Sequence, residues 1–307
     1  MKVKETDDPI YGKCVLITNN RIQAAVTVDV GPRIIDFGFC GDENLFYQDV
    51  EQKYKIPLSD TGNGKAGFFH PYGGHRLWIT PERSAAALSP DDSPVVYSIL
   101  ADGVSFTPPK RKTADIQLGF EIMMGEGASD IMIVHTAENC SKSVKTCGLW
   151  PITMLKGGGL AIVPQSEDRS EPRRPNRAVL FWPGTDIRDR RITYGNRFIA
   201  IRHIKGENIP LKIGCNDVPG WVGYVGKKNT LVKRFVFNSQ AAYPDSGCSC
   251  EVRLEPDFAE IDSFSPLYRM EPGEKIKYVE NISIYHAEHT EMMDSEDGIA
   301  AYFNSLA

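Results

Sequence analysis

Short apolar runs and period-two alternation dominate the chain. They fall at Cys14–Thr18, Ala24–Val30, Val95–Leu100, Ile116–Met124, Ile131–Thr136, Leu160–Val163, Phe198–Ile204, Leu231–Phe237 and Ile276–Tyr285. Each reads as a strand. The intervening residues carry turn chemistry, as in Asp102-Gly103, Gly125-Glu126-Gly127, Lys227-Lys228-Asn229 and Pro272-Gly273. Many strands joined by short turns predict an all-β antiparallel sandwich with few short helices. The last segment alone shows helical spacing, with Asp294 or Ser295 as N-cap and Ile299, Tyr302, Phe303 and Leu306 on one face. The stretch Ser166–Arg177, charged and without periodicity, predicts an exposed loop.

Composition narrows the classes. At 307 residues, 41% hydrophobic and 24% charged, the chain has the balance of a globular protein, and residues 1–307 are expected to form one domain. The net charge of −5 and the scattered Lys and Arg supply no basic field for phosphates, so nucleic acid is not an expected partner. No apolar stretch of about 18 residues could span a bilayer, and the polar N-terminus does not resemble a signal peptide, so no membrane partner and a cytoplasmic location are expected. The sequence sets no oligomeric state. Seven cysteines, an odd number, argue that most of the thiols are reduced and buried. Cys248 and Cys250, two apart on an expected strand, would share a face, but further metal ligands are not grouped near them.

Candidate chemistry concentrates in FFHPYGGHRLWITPE, Phe68–Glu82. Aromatic faces suit the C–H side of a pyranose, and a guanidinium fork suits hydroxyl or carboxylate oxygens. His70, Tyr72, His75, Arg76 and Trp78 are therefore candidate ligand-binding or catalytic residues, with Gly73 and Gly74 letting the backbone approach a ligand. Trp78 also fits a core aromatic, and Arg76 a structural ion pair. A second cluster, Tyr243–Tyr285, carries Glu251, Glu255, Glu260, Asp262 and Glu280 among strand residues, where partial burial would raise a carboxyl pKa toward general acid or base use. Glu255 and Glu280 read as outward and solvated. GNGK at Gly62–Lys65 lacks full phosphate-loop spacing, and no GxSxG, HExxH or paired CxxC motif occurs, so no metal, nucleotide or other cofactor is expected. His135, His203, His286 and His289 stand alone in sequence.

Taken together, VDVGPRIIDFGFCGDENLF (Val28–Phe46), HPYGGHRLW, AENCSKSVKTCGLWPITML (Ala137–Leu155), Lys212–Phe235 and SPLYRMEPGEKIKY (Ser265–Tyr278) resemble the galactose mutarotase-like superfamily in order and spacing. The resemblance is closer to an uncharacterised branch than to the aldose 1-epimerases themselves. It implies a large antiparallel β-supersandwich with a ligand groove across one concave sheet. It also implies a C-terminal glutamate as base on the anomeric hydroxyl, which Glu251 matches by its interval to Pro272-Gly273, with Glu260 the alternative. The acid is normally a histidine on the strand that here carries Leu149–Thr153, and no histidine is there; His70 or His75 would have to serve.

The expected function is accordingly saccharide binding with a candidate mutarotase-type isomerisation. One alternative is a non-catalytic carbohydrate-binding or sensor protein. The other is a lyase or hydrolase on an acidic saccharide, its carboxylate neutralised by Arg76, Lys233 and Arg234.

Overall fold

The computed structural model describes residues 1–57, 67–81, 90–111, 114–288 and 290–306. Gly62–Lys65, Glu82 and His289 lie outside the described residues.

Among the described residues, two large antiparallel sheets stack face to face, one of 11 strands and one of 10. The centre of the larger sheet runs Ile34–Phe39, His75–Thr80, Lys145–Lys156, Phe258–Ser263, Cys250–Leu254 and Leu211–Cys215. The centre of the smaller runs Leu160–Pro164, Trp221–Val225, Asn229–Phe235, Lys275–His286, Asp130–Asn139 and Ile116–Met123. Alternation does what the apolar pattern predicts. On Phe258–Ser263, Ala259 and Ile261 turn into the inter-sheet core, where they meet Ile133, Ile282 and Ile284 from the facing sheet. The 12-residue strand Lys145–Lys156 is the spine of the large sheet, pairing with His75–Thr80 on one side and with Phe258–Ser263 and Tyr268–Met270 on the other.

The terminal helix Glu296–Ser305 starts at Ser295, whose side chain accepts a hydrogen bond from the Gly298 N–H. Its buried Ile299, Tyr302 and Phe303 cover the outer face of the smaller sheet over Leu160, Ile162 and Val232. No helix among the described residues is long and apolar enough to cross a membrane.

Two local expectations change. Gly73 and Gly74 have φ of +100° and +72°, but the close neighbours that exclude a side chain there are the carbonyls of Tyr47 and Ile34, so these glycines serve backbone packing. Cys248 precedes its strand and lies among Trp78 and Trp150, whereas Cys250 faces the inter-sheet core, so the two thiols do not share a face.

Candidate functional site

The strand His75–Thr80 divides its side chains between two environments. Leu77 and Ile79 enter the inter-sheet core, and Trp78 packs on the outside of the large sheet with Trp150 and Phe264. Arg76 shares that outer face. Strand register then sets a transverse row: Arg76 opposes Ile152, Ile152 opposes Asp262, Asp262 opposes Glu251, and Glu251 opposes Gly214. Directly opposed side chains on one face sit with Cβ atoms about 4.5–5.5 Å apart. One step along the strands, Met154, Glu260, Arg253 and Lys212 form a parallel row. The outer face therefore collects three carboxyl groups and three cations beside a tryptophan pair.

Hydrogen bonds and ring contacts fix these groups. Trp78 and Trp150 meet edge to face at 5.7 Å. The Trp150 indole N–H donates to Asp262 at 3.0 Å, and the Thr153 backbone N–H approaches the other Asp262 oxygen at 3.4 Å. Lys212 Nζ lies 2.8 Å from Glu251 Oε2 and 4.3 Å from the Trp182 ring centroid. The Arg76 guanidinium stacks 4.2 Å above Trp78 and donates from Nη1 to the Pro71 carbonyl at 3.2 Å, while its buried Nε makes no hydrogen bond among the described residues. Trp78 in turn donates to Asp91, which also pairs with Arg33.

Burial shapes the charge states. It pushes Arg76 down to about 10, partly offset by Asp91, Glu260 and Asp262. Asp262 is raised well above the ordinary carboxylate range, first by burial and then by Glu260, with Glu251 adding to the rise. Burial would also raise Asp91, but Arg33, Arg76 and Arg111 outweigh it and hold that carboxyl low. The face is roofed rather than open: Phe69 and Tyr243 pack in the same cluster as the tryptophans, and Asp262 is wholly buried. Its accessible margin is at Arg253, Lys212 and half-buried Trp182.

The residues singled out in sequence separate in space. Glu251, Glu260, Arg76 and Trp78 come together on the outer face. His75, one residue from Arg76, points the opposite way into the inter-sheet core, and Lys233 enters that core from the facing sheet; both are fully buried. Tyr72 belongs to a separate cluster with Tyr11, Cys14 and Ile35, its ring covered by Arg33 at 4.6 Å. His70 is half-buried, 6.0 Å from the Tyr72 ring.

Between the sheets, Glu280 is not the solvated glutamate expected from sequence. It is fully buried, with Lys233 Nζ 3.1 Å from Oε1, His135 Nε2 3.0 Å from Oε2 and His75 Nε2 3.9 Å from Oε2, and it accepts a hydrogen bond from Ser263. An even position on a strand whose apolar partners Ile276, Tyr278, Ile282 and Ile284 are also even was the available signal. His75, His135 and Glu280 have donor types seen around transition metals, with donor atoms within 4.8 Å of one another. The Lys233 ammonium already neutralises the carboxylate there, and burial keeps both imidazoles below their usual pKa and hence uncharged. The arrangement is a buried Lys233–Glu280 ion pair within the smaller sheet, and its hydrogen bonds to Ser263, Pro151 and Thr153 tie it to the larger one. Asp262 belonged to the carboxylate cluster flagged in sequence and is the member whose pKa burial raises; Trp150 and Lys212 complete the outer face and received no role from sequence, because only register brings their strands together on one face.

Solved structures share this architecture at low identity. The chain superposes on a galactose mutarotase-like protein from Lactobacillus casei with a TM-score of 0.55 at 10% identity, covering 89% of this chain and 100% of that one. A putative aldose 1-epimerase from Escherichia coli K12 gives 0.51 at 10% identity, covering 88% and 98%. The fold is galactose mutarotase-like. A TPR-domain containing protein from Parabacteroides distasonis gives 0.58 at 15% identity over 92% of this chain, which spans 48% of that protein's length. No protein-family model and no curated protein matches the sequence. The galactose mutarotase-like assignment thus rests on the backbone, and the chemistry rests on the side chains of this chain.

Proposed function

We propose that the outer face of the large sheet binds a saccharide, with mutarotase-type acid–base chemistry as the finer reading. One observation carries it: the row of Arg76, Asp262 and Glu251 beside the Trp78–Trp150 pair. It combines aromatic rings with donors and acceptors of the types a polyhydroxylated ligand satisfies, which such a ligand would reach from the accessible margin at Arg253, Lys212 and Trp182. The unpaired Arg76 Nε is one such donor. Structures with the same fold described as a galactose mutarotase-like protein and a putative aldose 1-epimerase support the reading.

In this reading Glu251, with Lys212 Nζ 2.8 Å from its Oε2, accepts the anomeric hydroxyl proton. As that proton leaves, the C1–ring oxygen bond breaks, its electron pair passing to the ring oxygen, which takes a proton from Asp262. Rotation about C1–C2 and the reverse steps give the other anomer and return both protons. Asp262 replaces the expected histidine: it stands opposite Glu251, and its raised pKa suits a carboxyl group that holds a proton to donate. Magnetisation-exchange NMR on a panel of aldoses tests the chemistry. Enzyme-dependent exchange between anomers that disappears in Glu251→Gln supports it, and no exchange with any aldose overturns the catalytic step. Because no imidazole opposes Glu251 in its row among the described residues, a non-catalytic saccharide-binding protein is the second reading.

A further inference from the structure

Lys233 belongs to the smaller sheet, yet its ammonium reaches the backbone of the larger one. Nζ donates to the Pro151 carbonyl at 3.0 Å, the Ile261 carbonyl at 3.4 Å and Thr153 Oγ1 at 3.1 Å, and pairs with Glu280 at 3.1 Å. Pro151 and Ile261 lie on adjacent strands, so the charge sits against the sheet at their seam. On the other side of that seam, Asp262 follows Ile261 and is anchored to Trp150 and to the Thr153 N–H. Thr153 thus touches both groups, its hydroxyl facing Lys233 and its N–H facing Asp262. A lysine with four acceptors and no exposure cannot swing away, which makes its charge a fixed element of the site.

We propose that Lys233 is a positioning residue that acts on Asp262 through the sheet, its ammonium serving as the standing counter-charge beneath that carboxyl group. The inference deepens the saccharide-site reading, since it assigns a function to Asp262. Other charges face Asp262 from every packed element: Glu260 on its own strand, Glu251 and Arg253 on the next, and Arg76 one strand beyond Trp150. Of the cations around Asp262, Lys233 lowers its pKa most, against burial and the two glutamates. Glu280 partly cancels Lys233, so the core network and the outer face are electrostatically linked although they occupy opposite sides of one sheet.

The test needs no ligand. Carboxyl carbon-13 NMR of aspartate-labelled protein, with the Asp262 signal assigned by its loss in Asp262→Asn, follows titration in wild type, Lys233→Met and Glu280→Gln. Removing the cation should move the Asp262 midpoint up by about one pH unit, and removing its carboxylate partner should move it down. Loss of packing alone would not give shifts of opposite sign. An unchanged midpoint in both variants, or equal shifts in one direction, overturns the proposal. If Lys233→Met does not fold, the downward shift in Glu280→Gln decides, and its absence is equally fatal. Should the shifts appear while no anomer exchange is found, Lys233 still positions Asp262 and it is the catalytic reading that fails.

Discussion

Single side chains on the outer face have separable roles. Glu251 and Glu260 sit on adjacent strands in neighbouring rows, one beside Lys212 and the other opposite Arg253. If Glu251 is the base, Glu251→Gln should lower anomer exchange by about 10²–10⁴-fold while Glu260→Gln leaves most of it, measured by exchange NMR at saturating sugar. The reverse sensitivity would move the base by one strand. Trp150 has a structural duty as well, since its indole N–H satisfies buried Asp262. Trp150→Phe should therefore cost about 1–3 kcal/mol in urea unfolding, and a neutral result would show that the hydrogen bond is dispensable.

At the scale of elements, the fold was legible because strands announce themselves by alternation, and the terminal helix by its Ser295 cap and apolar face. The site was only half legible. Composition flagged the Phe68–Glu82 segment, but residue-type density says nothing about parity, so His75 and Arg76 were grouped although they project to opposite sides of their strand. The same parity, applied to Ile276–Tyr285, would have turned Glu280 inward. Cross-strand rows such as Arg76–Ile152–Asp262–Glu251 depend on which distant strands pair and in what register, information that no local pattern contains. The Gly73-Gly74 turn shows how a ligand-like signal can be backbone geometry. A Cβ at Gly74 would lie 2.3 Å from the Ile34 carbonyl oxygen, at a φ that disfavours side chains. Gly74→Ala should cost at least about 1–2 kcal/mol by urea titration.

For the molecule as a whole, the His75–His135–Lys233–Glu280 network is a polar clamp inside an otherwise apolar sandwich. Burial alone would raise Glu280, but Lys233 and the hydrogen bond from His135 bring it down to about 2, against 4.5 in the unfolded chain. A carboxyl group whose pKa is depressed on folding stabilises the fold above its unfolded value. The contribution disappears as pH falls from about 4.5 to about 2, and for a shift of this size it is on the order of a few kcal/mol. The stability difference between wild type and Glu280→Gln should therefore shrink across that window in urea titrations. A difference independent of pH would mean that Glu280 is not held ionised by its partners.

The central claim is that the tryptophan-lined outer face of the large sheet binds a saccharide, and isothermal titration calorimetry tests it most directly. Neutral, amino and uronic sugars, as monosaccharides and short oligosaccharides, would be titrated into wild type and into Arg76→Met, with the thermal midpoint of each protein as the folding control. The account predicts measurable binding of at least one sugar class by wild type and a loss of about 10-fold or more in the folded variant, the scale of one hydrogen bond to a charged donor. Absence of heat with every sugar, or an affinity unchanged by Arg76→Met, would contradict it.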